Sequence, residues 1–142
     1  MEFIDLKTQY NKYKDHIDAK IHAVLNHGQF IMGPEVEELE QELAQFVGVK
    51  HCISVASGTA SLEIALRALN IGPSDEVITV PFTWISSAEV IMAVGAKPIF
   101  VDIEADSYNM NPELLESAIN ENTKAIMPVS LFGQMADLER IG

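Results

Sequence analysis

The stretch VITVPFTWISSAEVIMAVGAKPIFV, residues 77–101, contains two short apolar runs separated by a longer apolar segment. The runs Val77–Val80 and Pro98–Val101 have the length and composition of buried strands, and Ile85–Val94 is long enough to form a helix between them. Strands that are joined through a helix pair in parallel. This stretch therefore predicts an α/β fold built on a mostly parallel sheet.

Elements of the same kinds are predicted on both sides of this stretch. Two more apolar runs, Cys52–Val55 and Ala125–Val129, are predicted to be strands. A first helix is predicted from the apolar repeat Tyr13, Ile17, Ile21, Val24 and Leu25, which stops before Gly28, and a second from Gly33-Pro34 through Phe46. A third is predicted from Ser57-Gly58-Thr59 to Asn70-Ile71-Gly72-Pro73. Two more are predicted over Pro112–Ile119 and from Ala136 onward. The alternation implies helices on both faces of the sheet, and Ile85–Val94, apolar nearly all round, is predicted to be sandwiched.

Charge and composition disfavour several classes of partner. Of the 142 residues, 48% are apolar, which is enough for a folded core, and 21 acidic against 9 basic residues give a formal charge of −12. This charge disfavours nucleic acid and anionic membrane surfaces as partners. The sequence has no apolar leader, no apolar run near the roughly 20 residues that span a bilayer, and one cysteine, Cys52. A cytoplasmic location is therefore expected.

The segment Ser57-Gly58-Thr59 is predicted to turn from a strand into a helix. The first N–H groups of that helix, on Gly58, Thr59 and Ala60, have no intrahelical acceptor, and the helix dipole favours a negative charge beside them. Gly58 lets a ligand approach the backbone and Thr59 adds a hydroxyl donor, so the segment suits a phosphate monoester. Alternatively, Ser57 or Thr59 only caps the helix. The absence of GxxxxGK[ST] and GxGxxG argues against P-loop and dinucleotide-binding folds.

Trp84 follows the strand Val77–Val80, and ligands of parallel sheets bind beyond the carboxyl ends of the strands. Trp84 is therefore predicted to lie at the same end of the sheet as Gly58 and Thr59. A phosphate site beside an aromatic ring suits a flat heteroaromatic phosphate. Alternatively, Trp84 is a core aromatic residue. Asp102, which follows the strand Pro98–Val101, could contact a ligand or cap a loop.

Histidine and cysteine have plainer interpretations. The four histidines show no metal-ligand spacing, so no metal site is predicted. Cys52 is expected to be a small buried residue within a strand. The histidines are His16, His22, His27 and His51.

A series of short motifs runs through the chain in a fixed order. They are FIDL (3–6), GQFIMGPEV (28–36), SGT (57–59), GPSDEVI (72–78), FTW (82–84), GAKP (95–98), VDI (101–103) and PVSLFGQ (128–134). In order and spacing, over essentially all 142 residues, they resemble the N-terminal part of the DegT/DnrJ/EryC1/StrS family of sugar aminotransferases. The motifs are most similar to those of members that aminate UDP-2-acetamido-3-keto-glucuronate for surface polysaccharides such as O-antigen.

The resemblance implies an aspartate-aminotransferase-like fold of type I and the cofactor pyridoxal 5′-phosphate (PLP). Residues 1–142 would form the N-terminal segment of the large domain. Gly58 and Thr59 would bind the PLP phosphate, Trp84 would stack on the pyridine ring, and the stretch Gly28–Pro34 would lie near the sugar. The parent enzyme would be a homodimer that transfers an amino group from an amino acid, with glutamate the expected donor, to a keto-sugar nucleotide.

The family's catalytic residues are not expected among these residues. The Asp that pairs with the pyridine nitrogen and the Schiff-base Lys come later in the family, in regions that, like the small domain, this chain lacks. None of its seven lysines matches the family position, and Lys97 is predicted at the opposite end of the sheet. The chain alone is therefore expected to be inactive. Two alternatives stay open: a PLP-dependent sugar dehydratase of the same family, with His in place of that Lys, and a non-catalytic module that binds a phosphate ligand.

Overall fold

The computed structural model describes residues 4–142, so Phe3 of the first motif lies outside the described residues. The chain divides into two compact units, Met1–Ser54 and Val55–Gly142. The first unit is helical and the second contains the sheet. Within residues 4–142, no helix has the length and the apolar character needed to cross a bilayer.

Two helices make up the first unit, α1 (Leu6–His27) and α2 (Pro34–Val47), and both are confirmed predictions. Gly28 ends α1 at φ 71°, in the left-handed region that favours glycine. Gly33 precedes α2, and a Cβ at this position would lie 2.3 Å from the carbonyl oxygen of Gln29. The loop between the helices therefore requires glycine at both of its ends.

The predicted strand Cys52–Val55 is wrong, because this segment has no partner strand in the sheet of the described chain. The N–H of Ser54 donates instead to the carboxylate of Glu40 at 2.6 Å. Ile53 is 77% exposed, and Cys52 is only half-buried. An apolar run forms a strand only where a neighbouring strand is available to pair with it, and residues 4–142 place none beside this segment.

The second unit is built on three parallel strands, β1 (Glu76–Thr79), β2 (Lys97–Phe100) and β3 (Thr123–Ile126). Their order in the sheet is β2-β1-β3, so β1 is the central strand. The other three predicted strands are therefore confirmed, and each observed strand begins one or two residues earlier than predicted.

Four helices accompany the sheet: α3 (Gly58–Ala68), α4 (Ser86–Ala93), α5 (Leu115–Ala118) and α6 (Leu138–Ile141). The predicted helix over 112–119 begins as a turn of 3-10 helix, Pro112–Leu114, which continues into α5. The helix predicted from Ala136 onward corresponds to α6.

Side chains of β1 alternate between two apolar cores, one on each face of the sheet. Val77 packs with Leu66 of α3 and Ile91 of α4 in the first core. Ile78 packs in the second core, which includes Leu115 of α5. The period of two along a strand produces this division. The prediction that helices cover both faces of the sheet is confirmed.

The helix α4 is not sandwiched, contrary to the prediction. Val90 and Ile91 are buried against the sheet, whereas Met92 is 64% exposed and Ile85, just before the helix, is also exposed. Only one stripe of a helix that lies on a sheet can reach the core, whatever the composition of its other face.

The strand β2 pairs with β1 on one side, and its other side has no partner strand within the described residues. The N–H groups of Lys97 and Val101 both donate toward the β1 side, each at 2.9 Å. Alternate residues of a strand direct their backbone groups to the same side, so Pro98 and Phe100 face away from β1. Proline is tolerated at such an edge, because no ladder hydrogen bond is lost there.

Glu76, the first residue of β1, is a buried carboxylate that joins the amino ends of the three strands. Its Oε2 accepts a hydrogen bond from Asn120 Nδ2, shortly before β3, at 2.7 Å, and its Oε1 accepts one from Lys97 Nζ of β2 at 2.9 Å. The hydrogen bond from Asn120, and after it that from Lys97, holds the pKa of Glu76 below its ordinary value of 4.5. A carboxylate with a lowered pKa stabilises the fold above its unfolded pKa and loses this contribution as the pH falls.

We expect Glu76→Gln to lower the melting temperature near pH 7, because a neutral amide makes weaker hydrogen bonds to Lys97 and Asn120 than a carboxylate does. The difference in melting temperature between Glu76→Gln and the parent chain should be largest above pH 4.5, and it should shrink as the pH falls through the lowered pKa of Glu76 in the folded chain. Thermal melts by circular dichroism from about pH 7 to about pH 3 measure this, with Glu116→Gln at an exposed position as control. A difference that does not change with pH would contradict the role of the charge.

Candidate functional site

The first turn of α3 leaves two backbone donors free. Ser57 is the N-cap residue, and its Oγ accepts a hydrogen bond from the N–H of Ala60 at 3.1 Å. The N–H groups of Gly58 and Thr59 have no acceptor within residues 4–142. The prediction of three free donors is therefore wrong for Ala60, because Ser57 caps the helix. Capping and the two free donors coexist in the same turn.

Gly58 leaves open space in front of these donors. A Cβ at this position would meet no atom within 4 Å. Gly58 and Thr59 are both exposed. The positive end of the α3 dipole therefore faces accessible space that a small anion can enter.

A hydrogen bond between two hydroxyl groups joins α3 to α4. Thr59 Oγ1 donates to Ser86 Oγ at 3.0 Å, and Ser86 is buried in the first turn of α4. The helix α4 follows β1 after a short turn, so its first residues lie beyond the carboxyl end of that strand. The first turns of both helices therefore lie at the carboxyl edge of the sheet, where the sequence predicts a ligand site.

Trp84 lies in the turn between β1 and α4 and is 74% exposed. Its carbonyl oxygen accepts a hydrogen bond from the N–H of Ser87 at 3.1 Å, which begins the helix. The alternative of a core aromatic residue is therefore wrong. The indole ring is open to solvent two residues before Ser86, the partner of Thr59.

Three further aromatic residues form a cluster that the sequence analysis did not identify. The ring centroids of Phe82, Tyr108 and Phe132 lie 5.5–6.5 Å apart. They belong to the loops after β1, β2 and β3, and buried Asn109 joins two of these loops by donating to the carbonyl of Gln134 at 3.3 Å. Phe82, Tyr108 and Phe132 are more than 20 residues apart in the sequence, so only the order of the strands brings them together.

Other candidate residues have structural roles or lie elsewhere. Asp102 caps its loop by accepting a hydrogen bond from the N–H of Ile103 at 2.8 Å. Lys97 and Lys124 lie near the amino ends of β2 and β3, so the prediction that Lys97 lies at the opposite end of the sheet is confirmed. In the part of the chain that the structure describes, no group of His, Cys, Asp and Glu side chains is placed to hold a metal ion.

The stretch Gly28–Pro34 belongs to the first unit. Its three apolar side chains, Phe30, Ile31 and Met32, are exposed, and Met32 has a positive φ of 50°. A non-glycine residue in this region is uncommon and marks a constrained loop.

Comparison with known proteins agrees with the observed fold. Residues 11–142 match the DegT/DnrJ/EryC1/StrS aminotransferase family. The chain is 57% identical over 141 residues to the UDP-2-acetamido-2-deoxy-3-oxo-D-glucuronate aminotransferase of Pseudomonas aeruginosa, an alignment that covers 99% of this chain and 39% of that protein. The chain thus spans about two fifths of the length of this relative.

Solved structures show the same relation. A DegT DnrJ EryC1 StrS aminotransferase from Brucella abortus superimposes with a TM-score of 0.92 at 44% identity, over 99% of this chain and 40% of that one. The ntda protein of Bacillus subtilis, solved with the cofactor PMP bound, gives a TM-score of 0.87 at 34% identity, over 92% of this chain and 30% of that one. PMP is the amino form of PLP, so these structures indicate PLP as the cofactor of the family. The chain belongs to the DegT/DnrJ/EryC1/StrS aminotransferase family and has its α/β fold with a parallel sheet.

Proposed function

We propose that the chain is the N-terminal segment of a PLP-dependent sugar-nucleotide aminotransferase and that its second unit supplies the phosphate-binding part of the cofactor site. One observation carries this proposal. The free N–H groups of Gly58 and Thr59 lie at the carboxyl edge of the sheet, and the exposed ring of Trp84 follows β1 at the same edge.

The residues present fit the phosphate of PLP. The N–H groups of Gly58 and Thr59 would donate to the phosphate oxygens, and Thr59 Oγ1 would add a third hydrogen bond. The open space at Gly58 admits the phosphate, and Trp84 offers a flat face to the pyridine ring. PLP, when bound, supplies the electron sink for transfer of the amino group.

The substrate of the whole protein is proposed to be a keto-sugar nucleotide, with an amino acid such as glutamate as the donor. The support is 57% identity to the Pseudomonas aeruginosa enzyme, whose name specifies a UDP-linked 3-oxo sugar acid. The product would enter a surface polysaccharide such as O-antigen, made in the cytoplasm. The formal charge of −12 argues against nucleic acid or an anionic membrane as a further partner.

We expect Thr59→Val to weaken binding of pyridoxamine 5′-phosphate (PMP), a probe that lacks the aldehyde and cannot react with surface lysines. Loss of one charge-assisted hydrogen bond costs about 1.5–3 kcal/mol, or roughly 10- to 150-fold in the dissociation constant. Binding to the 142-residue chain can be followed by quenching of Trp84, the single tryptophan.

One control variant and one further test variant accompany this titration. Thr123→Val removes a hydroxyl at the amino end of β3 and should bind PMP as the parent chain does. Gly58→Ala should weaken PMP binding without lowering the melting temperature, because its Cβ meets no protein atom. If Thr59→Val and Gly58→Ala both bind PMP normally, the turn is a plain helix cap.

The 142-residue chain is expected to show no transamination of a keto-sugar nucleotide with glutamate. Transamination by PLP needs a lysine amine beside the cofactor. The two lysines of the second unit, Lys97 and Lys124, lie near the amino ends of their strands, away from Thr59. An assay of glutamate consumption with PLP present measures this, and turnover by the purified chain would contradict the proposal that it is the N-terminal segment alone.

We also propose that the protein is a homodimer. The support is the apolar stripe of α1, which stays exposed in the first unit: Leu6, Tyr10, Tyr13, Ile17, Ile21 and Leu25. Contiguous exposed apolar patches of this kind are rare on soluble monomers. We expect light scattering at tens of micromolar chain to give a mass of at least two copies. A cooperatively folding, strictly monomeric chain would instead favour the alternative of a non-catalytic binding module.

A further inference from the structure

The first turn of α4 carries two buried serines, and the one other polar residue of the helix, Glu89, is exposed. Ser86 and Ser87 are 8% and 6% exposed. A buried hydroxyl group costs free energy unless it is hydrogen bonded, so both serines need partners. Ser87 Oγ shares a hydrogen bond with Thr83 Oγ1 at 3.1 Å, within its own turn, whereas Ser86 reaches Thr59 in α3. The two serines are therefore alike in burial but differ in what they contact.

The hydroxyl group of Thr59 has one proton and two possible acceptors for it. In the structure, Thr59 Oγ1 donates to Ser86 Oγ at 3.0 Å. A phosphate oxygen accepts hydrogen bonds, so Thr59 must turn its proton to the phosphate in order to bind it. Its oxygen is then free to accept, and the hydroxyl group of Ser86 lies at hydrogen-bond distance. A serine hydroxyl can take either role, because it has one proton and two lone pairs.

We propose that Ser86 is a positioning residue of the phosphate site, which accepts from Thr59 in the absence of phosphate and donates to Thr59 when phosphate is bound. This inference rests on the proposed function, since it concerns the same site. The bound arrangement is a chain from the Ser86 hydroxyl to the Thr59 hydroxyl to a phosphate oxygen, in which each hydrogen bond polarises the next. Ser86 acts through Thr59 and does not touch the ligand.

A double-mutant cycle on the 142-residue chain tests this role. The variants are Ser86→Ala, Thr59→Val and their combination, and the readout is PMP binding by quenching of Trp84. We expect Ser86→Ala to weaken PMP binding roughly 2- to 10-fold, the range for one ordinary hydrogen bond, and to have no further effect once Thr59 is valine. Binding of pyridoxamine, which lacks the phosphate, should be the same for Ser86→Ala and the parent chain.

Ser87→Ala is the matched control, because it removes a hydroxyl of the same burial in the same turn that does not contact Thr59. It should bind PMP as the parent chain does. Two outcomes overturn the inference and make Ser86 structural. In the first, the losses of PMP binding caused by Ser86→Ala and Thr59→Val add up in the combined variant. In the second, Ser87→Ala weakens PMP binding as much as Ser86→Ala does. Should Ser86→Ala fail to fold, Ser86→Cys replaces it in the cycle, since a thiol fills the site but donates weakly.

The outcomes also separate this inference from the proposed function. A parent chain that shows no phosphate-dependent binding of PMP overturns both. A parent chain that binds PMP, with Thr59→Val weakened and Ser86→Ala unchanged, overturns the role of Ser86 and leaves the proposed function standing.

Discussion

The central position of β1 is the constraint on which the rest of the second unit depends. Its residues hydrogen bond to β2 on one side and to β3 on the other, and all four are buried. β1 has neither a free edge nor a free face, and the chain leaves it through an exposed turn that contains Trp84. The two ends of the strand then differ in chemistry. Glu76 closes the amino end with a carboxylate, and hydroxyl groups and free amides surround the carboxyl end.

An acidic chain can present an anion site because the favourable field there is local. The attraction comes from two N–H groups and the dipole of α3, whereas charges on the surface are screened beyond about 8–10 Å. The basic side chains of the second unit are engaged elsewhere: Arg67 with Glu63, Lys97 with Glu76, Lys124 with a backbone carbonyl, and Arg140 with Glu113. The candidate site is therefore built from backbone and hydroxyl donors.

Sequence patterns of a few residues correctly predicted the features that neighbouring residues determine, such as helix ends. Gly28 marks the end of α1, and Gly33 and Pro34 mark the start of α2. The parallel arrangement predicts that Thr59 and Trp84 lie at the carboxyl ends of the strands. The strand predicted at Cys52–Val55 was wrong, because pairing is not local and no partner strand lies beside it. For the same reason the contact between Thr59 and Ser86, 27 residues apart, could not be predicted, nor could the aromatic cluster at the carboxyl edge.

The outer edge of β2 offers little to a strand that would add to the sheet. Of its four residues, Lys97 and Ile99 direct their backbone groups to β1, so Pro98 and Phe100 are left to hydrogen bond outward. Proline has no N–H, and an incoming strand would therefore find a single donor, beside the charge of Lys97. Proline and lysine at sheet edges are means by which natural proteins prevent intermolecular strand pairing. Within the described residues, Pro98 thus makes this edge of the sheet a poor template for pairing with another strand.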